Sequence, residues 1–82
     1  MTNTKLLFQA IKEAGYLRSY VAEKCGITYL SFYNKAHNKT SFTPPEIQAV
    51  RNVLGLTLER LEEIFFAEDV EETSTEAESE EE

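Results

Sequence analysis

Apolar positions recur at helical spacing along most of this chain. Leu7, Ala10, Ile11 and Ala14 stand at i, i+3, i+4 and i+7, which predicts a first helix over 4–14 with one core-facing stripe. Lys5, Gln9, Lys12 and Glu13 fall mostly on the other side, and Gly15 supplies the left-handed residue that commonly ends a helix. Val21, Ala22 and Cys25 share one face of a second helix over about 18–25, which Gly26 closes. Ile27 is an apolar plug past that turn, and the Thr28 hydroxyl can cap a third helix over about 28–37. At 100° per residue, Thr28 and Ala36 lie within about 40° of Phe32, the inward residue of that helix. Leu30, Tyr33, Asn34 and His37 then point outward or sideways.

The second half carries the clearest local signal. Thr43 and Glu46 are spaced as a capping box, Pro44 occupies the first helical position, and Phe42 can staple Ile47. These predict a fourth helix from Pro44 to Leu54 that buries Ile47, Val50 and Leu54 and stops at Gly55. Thr57 caps a fifth helix through about Phe66, with Leu58, Leu61 and Phe65 on one face and Ile64 and Phe66 beside it. The fold class is therefore all-α: a compact five-helix domain over 1–67. The short second helix, the glycine turn and the third helix have the arrangement of a helix-turn-helix, whose second helix can enter a DNA major groove. Apolar groups around Phe65 and Phe66 exceed what one small core needs. They can form a homodimer contact or fold back on the first helix.

Composition narrows the function. The chain has 82 residues, 41% of them hydrophobic, enough for one core. It contains no apolar run of the length a membrane span needs, and its N-terminus lacks a signal-peptide pattern. Cys25 is the one cysteine, so no internal disulfide forms, which suits a reducing cytosol. His37 is the one histidine. No metal site, His-dependent triad or glycine-rich phosphate loop can be assembled, and an enzyme, a cofactor or a small-molecule ligand is not expected.

The net charge of −7 is unevenly distributed. Residues 68–82 hold nine acidic side chains and no Lys or Arg, while 1–67 hold eight basic and six acidic ones, a net of +2. Residues 18–39 carry Arg18, Lys24, Lys35 and Lys39 against Glu23 alone, a mildly basic stretch. The composition of 68–82 predicts a disordered acidic tail. It can serve as a solubilising segment, compete with DNA for the basic face, or bind a basic partner.

Val-Ala-Glu-Lys-x-Gly-Ile-Thr at 21–28, followed by Phe-Tyr-Asn-Lys-x-x-Asn-Lys at 32–39, resembles the core of the lambda-repressor/Cro-like regulators, also called the Xre family. It is similar in particular to small phage regulators of Gram-positive bacteria, and the likeness covers roughly residues 4–66. The resemblance implies a phage or prophage transcriptional regulator in the bacterial cytoplasm, at the nucleoid, bound to operator DNA as a homodimer. Three positions depart from the pattern: Leu17 stands where relatives often place a Ser or Thr cap, Lys35 where they bury an apolar residue, and Asn38 where glycine is common. Lys35 is then expected to reach the edge of the core towards a phosphate, with Ala36 taking the core role.

On this reading the base-reading set is Thr28, Tyr29, Leu30, Tyr33, Asn34 and His37. Asn34 can pair with an adenine edge, Leu30 can pack on a thymine methyl, and Tyr33 can reach a base or a phosphate. Tyr29 can meet a base edge or the backbone, and His37 is a polar helix end. The phosphate set is Arg18, Ser19 and Tyr20 at the start of the second helix, with Lys35, Lys39 and Ser41 further on. An outward Leu and Tyr also suit a protein-binding surface. The alternative function is thus a helix-turn-helix used as a protein-interaction module, such as an antirepressor or a phage inhibitor of a host protein.

Overall fold

Helix boundaries follow the local chemistry closely. The structure, a computed structural model, describes residues 1–67, and among them there are five α-helices and no strand. They are α1 (Thr4–Ala14), α2 (Arg18–Cys25), α3 (Tyr29–Ala36), α4 (Pro44–Leu54) and α5 (Leu58–Phe65), each within a residue of the predicted limits. The acidic tail expected over 68–82 lies outside the described residues. Side chains cap four of the starts: Asn3 accepts from the Leu6 N–H, Thr28 from Ser31, Thr43 from Glu46 and Thr57 from Arg60. Each such cap is worth about 1 kcal/mol. The α4 box is complete, since Glu46 Oε1 also accepts from the Thr43 N–H at 2.9 Å. Leu17, at the start of α2, offers no cap.

The helices close around one core. Leu7 and Ile11 of α1, Val21 and Ala22 of α2, Phe32 and Ala36 of α3, Val50 of α4 and Ile64 of α5 are essentially inaccessible. Burial of a large apolar side chain of this kind contributes about 2 kcal/mol. α1 packs on α2, α4 and α5, and α2 packs on both α3 and α4. An edge-to-face series of rings, Phe32 to Phe42 at 5.7 Å and Phe42 to Phe65 at 5.3 Å, ties α3 to α5 through the loop between α3 and α4. No helix of the described residues is long and apolar enough to cross a membrane.

Several apolar expectations change: in α4 only Val50 is fully buried, and Ile47 and Leu54 are partly buried against the core. Ala14, the last residue of α1, is exposed, and Leu58 is likewise exposed while Ile64 joins Leu61 and Phe65 on the buried face. Phe65 is withdrawn as a dimer candidate because its ring is in the core, 5% exposed and set against Phe42. Phe66, one residue further round the helix, faces solvent at 58%.

The N-terminal residues act as a strap that periodicity does not reveal. The Asn3 N–H donates to the Ile64 carbonyl at 2.6 Å, and the Met1 amino group donates to the Ala67 carbonyl at 3.0 Å. Thr2 exchanges two hydrogen bonds with the Asn38 side chain, at 2.8 and 2.9 Å. The buried Thr4 hydroxyl donates to the Ala36 carbonyl at 2.6 Å. One short segment therefore fixes the C-terminal ends of both α3 and α5.

Candidate nucleic-acid interface

The turn between α2 and α3 is built by a left-handed glycine. Gly26 has φ 79°, its N–H donates to Glu23, and the next N–H, from Ile27, reaches back to Ala22. That pair of bonds satisfies the last carbonyls of α2 and turns the chain sharply. Thr28 then starts α3. Phe32 and Ala36 anchor α3 by one face at 0% exposure, while Leu30 on the other side is 67% exposed. Ser31, Tyr33 and Asn34 are half-buried around it. At the far end Asn38 takes φ 66°, as expected of a residue standing in for glycine. The Asn38 N–H donates to Lys35 and the Lys39 N–H to Asn34, the same two-bond closure.

Within this frame the predicted residues divide. Leu30, Tyr33 and Asn34 share the open side of α3. Thr28 is exposed, but its hydroxyl is engaged in the cap. Ser19 and Tyr20 are exposed at the start of α2, and Tyr20 stacks on Tyr16 at 5.0 Å with Lys24 at 5.4 Å above its ring. Lys39 and Ser41 are exposed in the loop after α3. Four residues are placed differently from expectation. Tyr29 leans over the core, with Phe32 at 6.5 Å and Tyr33 at 6.2 Å. His37 is held between Tyr33 at 4.2 Å and the edge of Phe8 at 5.5 Å, so packing rather than groove contact sets its orientation.

The other two departures alter the electrostatics. Arg18 is only 7% exposed, and its guanidinium lies 3.9 Å above the Phe8 ring. A cation over an aromatic face is stabilised by the ring quadrupole. Arg18 therefore faces inward instead of towards a phosphate. Lys35 does not reach the edge: its Nζ lies 2.7 Å from Glu46 Oε1, with both side chains largely buried. Burial by itself would raise the Glu46 pKa. The Lys35 hydrogen bond, the Thr43 bonds and the Lys35 charge outweigh it and hold the carboxyl below its ordinary value. Cys25, whose Sγ points to the Glu46 carbonyl at 3.7 Å, has its thiol pushed up to about 11 by burial and by the Glu46 charge, with Lys35 opposing. A thiol so shifted is a packing group.

Of the four cations in 18–39, Lys24 near the end of α2 and Lys39 just after α3 thus remain exposed. Among the described residues no cluster of His, Cys, Asp and Glu could hold a metal ion. Sequence reasoning missed Phe8, which joins the start of α2 to the end of α3 through Arg18 and His37. It also missed the Thr2–Asn38 clasp. Only the Asn3 cap had a local signal, an Asn directly before an apolar helical stretch. No family model, curated protein or solved structure matches the chain.

Proposed function

We propose that this protein is a sequence-specific DNA-binding regulator of the lambda-repressor/Cro-like type, which reads the major groove with α3. The observation that carries the reading is the two-sidedness of α3: Phe32 and Ala36 are fully buried, while Leu30 is exposed and Tyr33 and Asn34 are half-exposed on the other side, with Lys39 exposed just past the helix end. A helix anchored along one side and offering an amide, a phenol and an apolar side chain on the other can read base edges and thymine methyls. The uncapped start of α2, with Ser19 and Tyr20 exposed and no acid in its first turn, favours a backbone phosphate there. The resemblance of 21–28 and 32–39 to small phage regulators adds a homodimer on a two-fold operator in the bacterial cytoplasm. Phe66, with Phe65 removed from the surface, is the remaining candidate for the dimer contact.

A random-library DNA selection with the full-length chain tests this. The expected result is a two-fold symmetric motif that Asn34→Ala combined with Tyr33→Ala no longer prefers, with the fold unchanged by circular dichroism. The exposed Leu30 and the Tyr16–Leu17–Tyr20 patch favour a second reading, a helix-turn-helix used for protein contact. Folded protein that enriches no sequence at low salt would select that reading.

A further inference from the structure

The described chain ends beside the interface. The Ala67 carbonyl accepts from Met1, and the adjoining Thr2 is clasped by Asn38, the residue before Lys39. Phe66, Met1, Asn38 and Ser41 line one shallow groove, so the chain leaves α5 next to the loop that closes α3. Beyond that point follow residues 68–82, with nine acidic side chains and no basic one, beginning with Glu68 and Asp69. Fifteen residues can extend about 50 Å, while the largest dimension of the folded part is 28 Å.

From the exit point and the charges we infer that the segment 68–82 docks electrostatically on the Lys39 end of the α3 face and competes there with the DNA backbone. The Met1 ammonium, 3.0 Å from the Ala67 carbonyl, and Lys39, next to the Asn38 that clasps Thr2, are exposed cations beside that exit. A polyanion tethered this close acts at an effective concentration in the millimolar range. It therefore lowers affinity for any duplex at low salt, and the penalty fades as salt screens both interactions. The consequence is selectivity: weak non-specific contacts are suppressed, whereas an operator that adds base contacts displaces the segment. The competition rests on the DNA-binding reading; the docking does not.

The test uses the full chain and a full-length variant in which all nine acids of 68–82 become the corresponding amides. Amide chemical shifts of both are recorded without DNA, at low and high salt. Docking predicts that Lys39, Thr40 and Ser41 differ between the two proteins at low salt and coincide at high salt. Coincident shifts at Lys39, Thr40 and Ser41 at low salt would overturn the docking. Binding to a mixed-sequence duplex is then measured, where competition predicts about tenfold tighter binding by the variant at low salt. Equal affinities would overturn the competition even if the shifts differ. Shift differences with no duplex or selected DNA bound by either protein would instead defeat the DNA-binding reading and leave the docking standing.

Discussion

At the start of α4, Thr43 and Glu46 satisfy each other's backbone groups and Pro44 sets the first turn; at the start of α2, Leu17 contributes nothing of the kind. The contrast extends through the two helix pairs. In α4 and α5 the caps are local, and Val50, Leu61, Ile64 and Phe65 are buried by the helical spacing of their own elements. In α2 and α3 the decisive partners come from elsewhere: Phe8 of α1 receives Arg18 and His37, Glu46 of α4 receives Lys35, and Thr2 holds Asn38. The helices proposed to meet DNA are thus held from behind by other elements, which leaves Leu30 free to stand exposed on the outer side. Two of the three cations expected to grip phosphate, Arg18 and Lys35, serve that support instead.

The largest effect should come from removing the support. Phe8→Ala is expected to cost about 3–5 kcal/mol in chemical denaturation, since it opens a cavity and leaves Arg18 without its ring. Arg18→Ala should lower stability while leaving the salt dependence of DNA binding unchanged. Lys39→Ala should do the reverse, leaving stability alone and reducing the slope of log affinity against log salt by about one. If Arg18→Ala altered the slope instead, Arg18 would belong to the phosphate set after all.

Next in size is the Lys35–Glu46 pair. Removing one partner of a largely buried pair leaves the other uncompensated, so Glu46→Gln should cost about 2 kcal/mol at neutral pH. Glu46 titrates below its ordinary value of 4.5 in the folded protein. Its contribution is therefore complete above that value and is lost as pH falls through the lower folded value. Acid titration of stability should show this loss in the wild type and a shallower one in Glu46→Gln; parallel profiles would place the pair outside the stabilising contacts.

Asn38 separates backbone from side-chain effects. Asn38→Gly loses the two bonds to Thr2 but relieves the φ of 66°, whereas Asn38→Ala loses the bonds and adds strain. Ala should be the less stable variant by about 1 kcal/mol. The smallest change is a gain: Leu17→Asp supplies the missing cap and should stabilise by about 0.5–1 kcal/mol. The same carboxylate would repel a phosphate at the start of α2, so DNA affinity should fall as stability rises. A parallel rise in both would remove that helix start from the interface.

The helices were legible because each boundary signal and each apolar stripe is a local property. Gly15, Gly26, Gly55, Thr43 and Thr57 all stand at the ends they mark. With Phe32 taken as inward, the inward placement of Ala36 and the outward placement of Leu30 followed from 100° per residue. Arg18, Lys35 and His37 were misplaced for one common reason. A long or aromatic polar side chain at the edge of a helix can turn either way, and the choice is made by a residue distant in sequence. Phe65 and Phe66 show the limit in another form, since adjacent identical residues were divided by a neighbour, Phe42.

The most direct test of the central claim is amide-shift mapping of the full-length protein titrated with its selected duplex. The account predicts that the shifts concentrate at residues 19–20 and 28–41, with Leu30, Tyr33 and Asn34 among the largest, while the exposed side of α4 stays silent. Shifts confined to α5, or none with the protein folded, would contradict it.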